Sequence, residues 1–217
     1  MPTPREDLAA VVVRDTIYAI GGIGPATDTW RARAPMPTCR HSLAAGVIDG
    51  IIYAVGGADS TGRSVATVEA YDPATDTWTA CASLHDALSG LVVAVANHTV
   101  YSIGGLDSAV NWLGVVEAYD AVANTWTYRA AMPTTRTLFS SAVANGKVYA
   151  IGGLDSAWAT LKTVEVYDPI ANTWTTGPAL RTSRGLHASV TVNGTIYVIG
   201  GESTLFHPLG LNEALTP

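Results

Sequence analysis

Short runs of apolar residues recur along the chain, and turn residues separate them. One run ends at Asn145-Gly146, a pair that favours a type I′ hairpin turn because both residues accept positive φ. The next run, residues 147–151, is β-branched and aromatic and ends at Gly152-Gly153. Two further runs follow, residues 163–167 and a segment that begins at Trp174. The pattern predicts four antiparallel strands, which we label a, b, c and d in chain order.

Strand b does not alternate between apolar and polar residues. Its copies include Ile17-Tyr18-Ala19-Ile20, Ile52-Tyr53-Ala54-Val55, Val100-Tyr101-Ser102-Ile103 and Ile196-Tyr197-Val198-Ile199. A strand that is apolar on both sides is covered on both faces. Sheets that stack face to face around an axis meet this requirement, so the pattern predicts a β-propeller.

The four-stranded unit recurs at an interval of 48 residues. The residues that keep this interval are Trp30, Trp78, Trp126 and Trp174, the tyrosines Tyr71, Tyr119 and Tyr167, and the pairs Gly56-Gly57, Gly104-Gly105, Gly152-Gly153 and Gly200-Gly201. One supersecondary unit is therefore copied along the chain. A phosphate-binding site would need a helix after the glycines, and the pattern predicts no helix there. The glycines therefore predict close approach of neighbouring backbones. The aromatic residues predict packing between repeats.

Composition restricts the classes of function. The chain has 217 residues, of which 48% are hydrophobic and 14% charged, with a net charge of −6. This charge and the lack of a basic run argue against nucleic-acid binding. No apolar stretch approaches the roughly 20 residues of a membrane helix, and residues 1–7 do not resemble a signal peptide. Cys39 and Cys81 occupy non-equivalent positions and predict free thiols, which favours a cytoplasmic location without establishing it.

These motifs resemble those of the kelch family. The fourth unit carries Arg136, Tyr149, Gly152-Gly153, the Val-Glu-x-Tyr-Asp-Pro block at residues 164–169, and Thr173-Trp174, and Met-Pro pairs close other units. The resemblance implies a β-propeller in which strand a lines a central channel and strand d lies at the rim. We expect an all-β propeller of kelch repeats with about five blades in one domain, residues 1–217. The expected units are residues 5–36, 40–84, 88–132, 136–180 and 184–217.

The first and last units depart from the pattern. Gly21-Gly22 lies only 35 residues before Gly56-Gly57, so the first unit lacks the b–c loop and strand c. The fifth unit stops before a strand d. We therefore expect five a, five b, four c and four d strands. The complete inner strands favour a closed or nearly closed ring of five blades, and a larger ring is the alternative. Exposed edges at both end blades predict self-association.

No motif for metal, cofactor or catalysis stands out. The chain has no His-x-His, His-Glu-x-x-His or Cys-x-x-Cys spacing and no Gly-x-Ser-x-Gly elbow. We expect no cofactor, no metal and no catalytic residues.

Arginine recurs 16 residues before the first glycine of a unit, at Arg5, Arg40, Arg136 and Arg184, whereas the third unit has Leu88. One interpretation is a ring of guanidinium groups that binds carboxylates or phosphates. The other is structural ion pairing with the repeat glutamates Glu69, Glu117, Glu165 and Glu213. Recurrence favours the structural interpretation, because consensus residues of repeats usually serve stacking.

Binding residues are expected where the copies differ, in the b–c loops at residues 58–64, 106–112, 154–160 and 202–208. Exposed aromatic residues in these loops could anchor a ligand or merely cover their own blade. Asp59, Asp107 and Asp155 share one loop position and could cap the loop backbone or make the face acidic. The candidate binding residues are Arg5, Arg40, His41, Ser42, Asp59, Arg63, Ser89, Asp107, Trp112, Arg136, Thr137, Asp155, Trp158, Arg184, His187, Phe206 and His207.

The sequence favours a non-catalytic interaction module that binds a protein, peptide or glycan through loops on one face, without nucleic-acid binding or membrane insertion. The alternative is a kelch-type enzyme that acts on a sugar or small acid in the central channel. A third hypothesis is that the chain is a fragment with no independent role. A buried carboxylate or histidine with a perturbed pKa beside a cavity would favour the enzyme. An open face with exposed aromatic residues would favour binding.

Overall fold

Every regular element in the described part of the chain is a β-strand. The structure is a computed structural model and describes residues 6–23, 32–204 and 207–217. No helix in these ranges is long and apolar enough to cross a membrane. The all-β prediction is confirmed.

Three complete four-stranded antiparallel blades form the centre of the chain. The second blade contains β3 (Ala44–Ile48), β4 (Ile51–Val55), β5 (Val68–Asp72) and β6 (Thr77–Ala80). The third contains β7 (Val92–Ala96), β8 (Thr99–Ile103), β9 (Val116–Asp120) and β10 (Thr125–Tyr128). The fourth contains β11 (Ser140–Ala144), β12 (Lys147–Ile151), β13 (Val164–Asp168) and β14 (Thr173–Thr176). Each is the predicted meander, with strands paired in chain order.

The end blades have fewer strands. The first blade pairs β1 (Glu6–Val13) with β2 (Thr16–Ile23). The fifth blade pairs β15 (Ala188–Val192) with β16 (Thr195–Ile199), and β16 with β19 (Asn212–Leu215). Its b–c loop carries a short hairpin, β17 (Glu202–Thr204) and β18 (His207–Pro208), which the sequence did not predict.

The predicted c strands are found in the second to fifth blades, and three of the four predicted d strands lie in the described residues. The remaining predicted d strand, that of the first blade, would begin at Trp30, which lies outside the described residues. Residues 32–37 form no strand.

The hairpin turns have the predicted backbone conformation. Asn145 and Gly146 adopt φ of 52° and 72°, as a type I′ turn requires. Arg14 and Asp15 occupy the same slot in the first blade with φ of 45° and 63°, although arginine does not favour this region. The repeat therefore imposes the turn even where the local residues suit it poorly.

The blades follow one another around an axis. Neighbouring inner strands lie side by side in the order β1, β3, β7, β11 and β15. Hydroxyl groups tie some of them together: Ser141 Oγ donates to the carbonyl of Val93 at 3.1 Å, and Ser189 Oγ donates to the carbonyl of Ser141 at 2.9 Å. Strand b is buried on both faces, since β12 packs against the blade before it and the blade after it. This is the ring arrangement of a β-propeller.

The repeated tryptophan and tyrosine pack between blades, as predicted. Trp126 is buried with its ring centroid 4.9 Å from that of Tyr119. Its Nε1 donates to the carbonyl of Ala82 in the preceding blade at 2.8 Å. Asn124, in the c–d turn, accepts hydrogen bonds from the Tyr119 hydroxyl at 2.7 Å and from the Ala82 backbone N–H at 2.8 Å. The second and fourth blades bind the blade before them in the same way, with Asp76 and Asn172 in place of Asn124.

The paired glycines allow close approach of the backbone. A Cβ on Gly153, which has φ of 98°, would lie 2.6 Å from Cβ of Phe139 and 2.8 Å from the carbonyl oxygen of Thr137. The conformation and the contact both exclude a side chain at this position.

Candidate functional site

The repeated arginines are fully buried and paired with the repeat glutamates. Arg40 pairs with Glu69, and Arg136 pairs with Glu165. Arg184 Nη2 lies 2.6 Å from Glu213 Oε1. Each arginine side chain is 0% exposed, so none reaches the channel or the loops. These contacts support the structural interpretation of the arginine repeat; Arg5 lies outside the described residues.

Each pair joins strand b to strand c. Arg136 Nη1 donates to the carbonyl of Gly152 at 2.9 Å and to that of Thr163 at 3.0 Å. Burial lowers the pKa of Arg136, and the charge of Glu165 opposes this. For Glu213, burial opposes ionisation, but backbone hydrogen bonds from Arg181 and Thr182 and the charge of Arg184 give a net lowering of the pKa. The guanidinium groups are therefore committed to holding the strands of their own blade together.

An aspartate that recurs at the same position of three b–c loops shapes each of them. Asp59 Oδ1 accepts hydrogen bonds from the backbone N–H of Thr61 at 2.8 Å, from its hydroxyl at 2.6 Å, and from the N–H of Arg63 at 3.2 Å. Asp107 and Asp155 cap the next two loops in the same way. The hydrogen bonds lower the pKa of Asp59, that of the Thr61 hydroxyl contributing most. The structure supports the capping interpretation, since these carboxylates are engaged by their own loops.

The b–c loops and the starts of the inner strands form one face of the propeller, which we call the loop face. It comprises residues 41–42, 58–64, 89–90, 106–112, 137–138, 154–160, 185–186 and 202–204. In the second to fifth blades, bridges join the start of the inner strand to its own loop, as between Thr137 and Leu154. Ser108 Oγ donates to the carbonyl of Ser64 at 3.2 Å, so neighbouring loops are also linked. The loop face is therefore a continuous, hydrogen-bonded surface.

Several candidate residues contribute to this framework. Thr137 is buried and donates to the carbonyl of Gly90 at 2.9 Å. Ser89 Oγ lies 2.9 Å from Ser64 Oγ, and His41 Nδ1 lies 3.0 Å from Ser42 Oγ. Arg63 is exposed at a loop tip. His207 lies in β18 with Nδ1 2.9 Å from Thr204 Oγ1, and Phe206 lies outside the described residues.

Two tryptophans that lie outside the repeat pattern meet on the loop face. The rings of Trp112 and Trp158, from the third and fourth blades, pack edge to face with centroids 5.3 Å apart. Trp158 is 48% exposed, and Val110 beside Trp112 in its loop is 60% exposed. We call Val110, Trp112 and Trp158 the aromatic patch. The sequence marked both tryptophans as candidates but gave no sign that they touch.

The aromatic patch is held in an unfavourable backbone conformation. Val110 and Trp158 have φ of 62° and 61°, at the loop position where the second blade has Gly62. A bulky or β-branched residue at positive φ is uncommon and costs about 1–2 kcal/mol. The loops thus present two apolar side chains at a position where glycine would be easier to accommodate.

His187 is buried at the start of the fifth blade. Neither of its ring nitrogens makes a hydrogen bond of good geometry with any described group, although the backbone of Ile151 and that of Gly185 lie close enough for weak ones. Burial, with repulsion from Arg184, lowers its pKa to about 4, and the nearby backbone of Ile151 and Gly185 opposes this only in part. Its Cε1 faces Gly152, where a Cβ would lie only 2.8 Å away. His187 therefore fills the junction between two blades as a neutral ring.

Two clefts lie at the opposite end of the propeller, among the a–b and c–d turns. One of about 210 Å³ is lined by residues including Arg14, Asp49 and Pro73. The other, of about 390 Å³, is lined by residues including Val95 and His98. The candidate binding residues do not line either cleft. Within the described residues, no group of three or more His, Cys, Asp or Glu side chains is placed to hold a metal ion.

Comparison with known proteins agrees with this architecture. The family model of the KLHDC2/KLHL20/DRC7 Kelch-repeats domain matches residues 26–201. The chain belongs to this kelch-repeat family. Among solved structures it is similar to "Structure of YjhT", with a TM-score of 0.72 and 16% sequence identity over 99% of this chain and 96% of that chain. No curated protein matches the chain in sequence.

The third blade departs from the kelch pattern of arginine and glutamate. Leu88 replaces the arginine and is fully buried, while Glu117 is also fully buried. His85 is the side chain that contacts Glu117 in place of the missing arginine, with Nδ1 2.5 Å from Glu117 Oε2 and its ring stacked on Tyr128 at 4.7 Å. The sequence did not identify His85 as a partner, although a repeat glutamate without its arginine was a signal that another donor was needed.

Proposed function

We propose that this kelch propeller is a non-catalytic interaction module that binds a protein or peptide segment on its loop face. The observation that carries the proposal is the contact between Trp112 and Trp158 across two blades, with Trp158 half exposed. Buried aromatic anchors, tryptophan above all, supply much of the binding energy at protein interfaces. Contact between two loops also fixes the ring positions before a ligand arrives, which lowers the entropy cost of binding.

The backbone strain supports the same conclusion. A residue kept at positive φ raises the energy of the free protein, and such outliers cluster at functional sites. Gly62 shows that the loop can place glycine there, so packing of the blade does not itself require Val110 or Trp158. Both side chains face solvent rather than the core, since Val110 is 60% exposed and Trp158 is 48% exposed.

The chemistry of the loop face favours an apolar occupant. The loop backbone occupies Oδ1 of Asp59, Asp107 and Asp155, so only part of each carboxylate is left for a sugar. Leu186 adds a further half-exposed apolar side chain to the face. We therefore infer a peptide segment with an aliphatic or aromatic side chain that packs against the tryptophan pair, and glycan binding becomes an outcome of the test.

One observation favours the second candidate, an enzyme that acts on a sugar or small acid in the channel. His187 is buried and has a strongly lowered pKa, as catalytic histidines often do. Neither cleft described above is lined by His187, however, and the buried carboxylates of Glu69 and Glu165 are neutralised by arginines. The binding function therefore has the stronger support.

The experiment is selection on the immobilised full chain with a phage-displayed peptide library, in parallel with a glycan array. We expect selected peptides to share an aliphatic or aromatic residue. Trp158→Ala should weaken the best peptide about 30-fold, which corresponds to a hot-spot loss of about 2 kcal/mol. Tyr128→Ala, which removes a half-exposed aromatic side chain from the rim strand β10, is the matched control and should leave binding unchanged.

Three results would overturn the proposal. They are the absence of any selected peptide, equal affinity of the Trp158→Ala variant and the unmodified protein, and binding of glycans alone. Turnover of a sugar or small acid that is lost in a His187→Phe variant would establish the second candidate instead.

A further inference from the structure

The tryptophans that keep the repeat interval have their indole nitrogens occupied in the described part of the chain. Nε1 of Trp78, Trp126 and Trp174 donates to a backbone carbonyl of the preceding blade at 2.9, 2.8 and 2.8 Å. A buried indole N–H needs such an acceptor, because an unpaired donor out of contact with water is destabilising. These three nitrogens are therefore closed to a ligand.

The two tryptophans of the aromatic patch have no such acceptor. Within the described residues, no group accepts a hydrogen bond from Nε1 of Trp112 or from Nε1 of Trp158. Nε1 of Trp112 is open to solvent, since it is not among the buried side-chain atoms of the described residues that lack a partner. The ring of Trp158 is 48% exposed. Both indoles can therefore donate to an acceptor on a ligand.

A ligand that covers the patch has to supply these acceptors. Covering the rings removes water from both N–H groups, and a desolvated donor without a partner weakens binding. The backbone carbonyls inside an α-helix or a sheet already accept hydrogen bonds from their own structure. The polyproline II helix has no internal hydrogen bonds, so its carbonyls stay free to accept.

The backbone of the two loops offers little to an added β-strand. The N–H groups of Ala109 and Asn111 donate to Asp107 Oδ1 at 2.8 and 2.9 Å. The N–H of Val110 donates to the carbonyl of Asp107 at 3.0 Å. The fourth blade repeats this arrangement around Asp155. Strand addition requires a row of free backbone groups, so the patch favours a ligand that is bound through side-chain donors.

The two rings also form a surface of suitable shape. The planes of Trp112 and Trp158 are 87° apart and their centroids are separated by 5.3 Å, so the two ring faces border a right-angled corner. Val110 extends this apolar surface and is 60% exposed. A pyrrolidine ring is compact and apolar, and proline-rich segments dock on aromatic surfaces at low entropy cost because their conformation is already formed.

We propose that the aromatic patch binds a proline-rich peptide segment in the polyproline II conformation. Pyrrolidine rings pack in the corner between Trp112 and Trp158, and peptide carbonyls accept hydrogen bonds from the two indole N–H groups. The patch joins the third and fourth blades, each of which contains all four strands. This inference rests on the proposed function and specifies the class of peptide that the loop face takes.

The test is titration of the ¹⁵N-labelled full chain with decaproline, followed through the indole N–H signals in proton–nitrogen correlation spectra. The chain has six tryptophans, and the variants Trp112→Phe and Trp158→Phe identify the two signals of the patch. We expect decaproline to shift these two signals and to leave those of Trp78, Trp126 and Trp174 in place. A Gly-Ser peptide of the same length is flexible and lacks pyrrolidine rings, so it should shift none of them.

The two phenylalanine variants keep an aromatic ring and remove only the donor. Each should weaken the binding of decaproline about 5-fold, which corresponds to the loss of one hydrogen bond of about 1 kcal/mol. Tyr128→Phe is the matched control, because it removes a donor hydroxyl from an exposed aromatic side chain of the rim strand β10. This variant should bind decaproline like the unmodified protein.

This inference can fail while the proposed function stands. Selected peptides that depend on Trp158 but contain no proline would have that effect. So would unshifted indole signals in decaproline, or phenylalanine variants that bind as tightly as the unmodified protein. Shifts of the two patch signals by cellohexaose but not by decaproline would assign the patch to a glycan and overturn both proposals.

Discussion

Replacing His187 with phenylalanine should stabilise the protein at pH 7 and reduce its sensitivity to acid. His187 occupies the position at which the preceding blades have Leu43, Leu91 and Phe139. These apolar residues pack on the first glycine of the blade before, as Phe139 does on Gly104. Phenylalanine should therefore fit the same junction, and it would remove two buried ring nitrogens that lack hydrogen bonds of good geometry. A buried unsatisfied polar group costs about 1–3 kcal/mol, so we expect a gain of about 1–2 kcal/mol at pH 7.

The effect of acid follows from the lowered pKa. The pKa of His187 falls from 6.5 to about 4 on folding, mainly because burial disfavours the charged ring. Between these values the unfolded chain binds more protons than the folded one. The stability of the folded state therefore decreases as the pH falls from about 6.5 towards 4 and changes no further below that range. The full effect is about 3 kcal/mol for a shift of this size.

The assay is urea denaturation of the unmodified protein and the His187→Phe variant at several pH values between 7 and 4. We expect the stability advantage of the variant to grow by about 3 kcal/mol over this range. Carboxylates that titrate in both proteins cancel in this difference. His98→Asn is the matched control, because it removes an exposed histidine from a hairpin turn where asparagine also accepts positive φ. A constant difference between variant and unmodified protein, or a less stable variant at pH 7, would refute the reasoning.

The remaining predictions concern the core and the ion pairs. Arg136→Met should cost about 3–5 kcal/mol because it leaves Glu165 buried without a countercharge, and adding Glu165→Met should recover part of this loss. A double variant that is no more stable than Arg136→Met, in a denaturation cycle, would contradict that account. Trp126→Ala should cost about 3–5 kcal/mol as a buried aromatic residue, whereas Trp158→Ala should cost under about 1 kcal/mol. Equal losses of unfolding free energy would contradict the division between core and loop face.

The boundaries predicted from the sequence for strands b and c agree with the observed ones to within one residue in the fourth unit. Strand b of the fourth unit was expected over residues 147–151 and is β12 (Lys147–Ile151). Strand c was expected to begin at Thr163 and begins one residue later, at Val164. These elements were predictable because β-branched runs, turn pairs with positive φ and paired glycines are local signals, and the repeat confirms each one several times over.

Contacts between blades were much less accessible to sequence reasoning. For the arginines the sequence left a choice between ligand binding and ion pairing, and the contacts favour ion pairing. For the loop aspartates it left a choice between an acidic face and capping of the loop backbone, and the contacts favour capping. The partnership of His85 with Glu117 was missed, since the two residues lie 32 positions apart and the repeat offers no second example. The hairpin β17–β18 was missed because the b–c loop of the fifth unit differs in sequence from the b–c loops of the other units.

The amino-acid sequence by itself determined the blade, its repeat and its family, because a unit copied at 48-residue intervals displays its own strand and turn preferences at each copy. Only the tertiary structure decided which side chains stay in contact with water. The pairing of Trp112 with Trp158 and the isolation of His187 both depend on which blade lies beside which. The physical reason is that burial belongs to the junction between two blades, and a residue's own neighbours in the chain do not specify it.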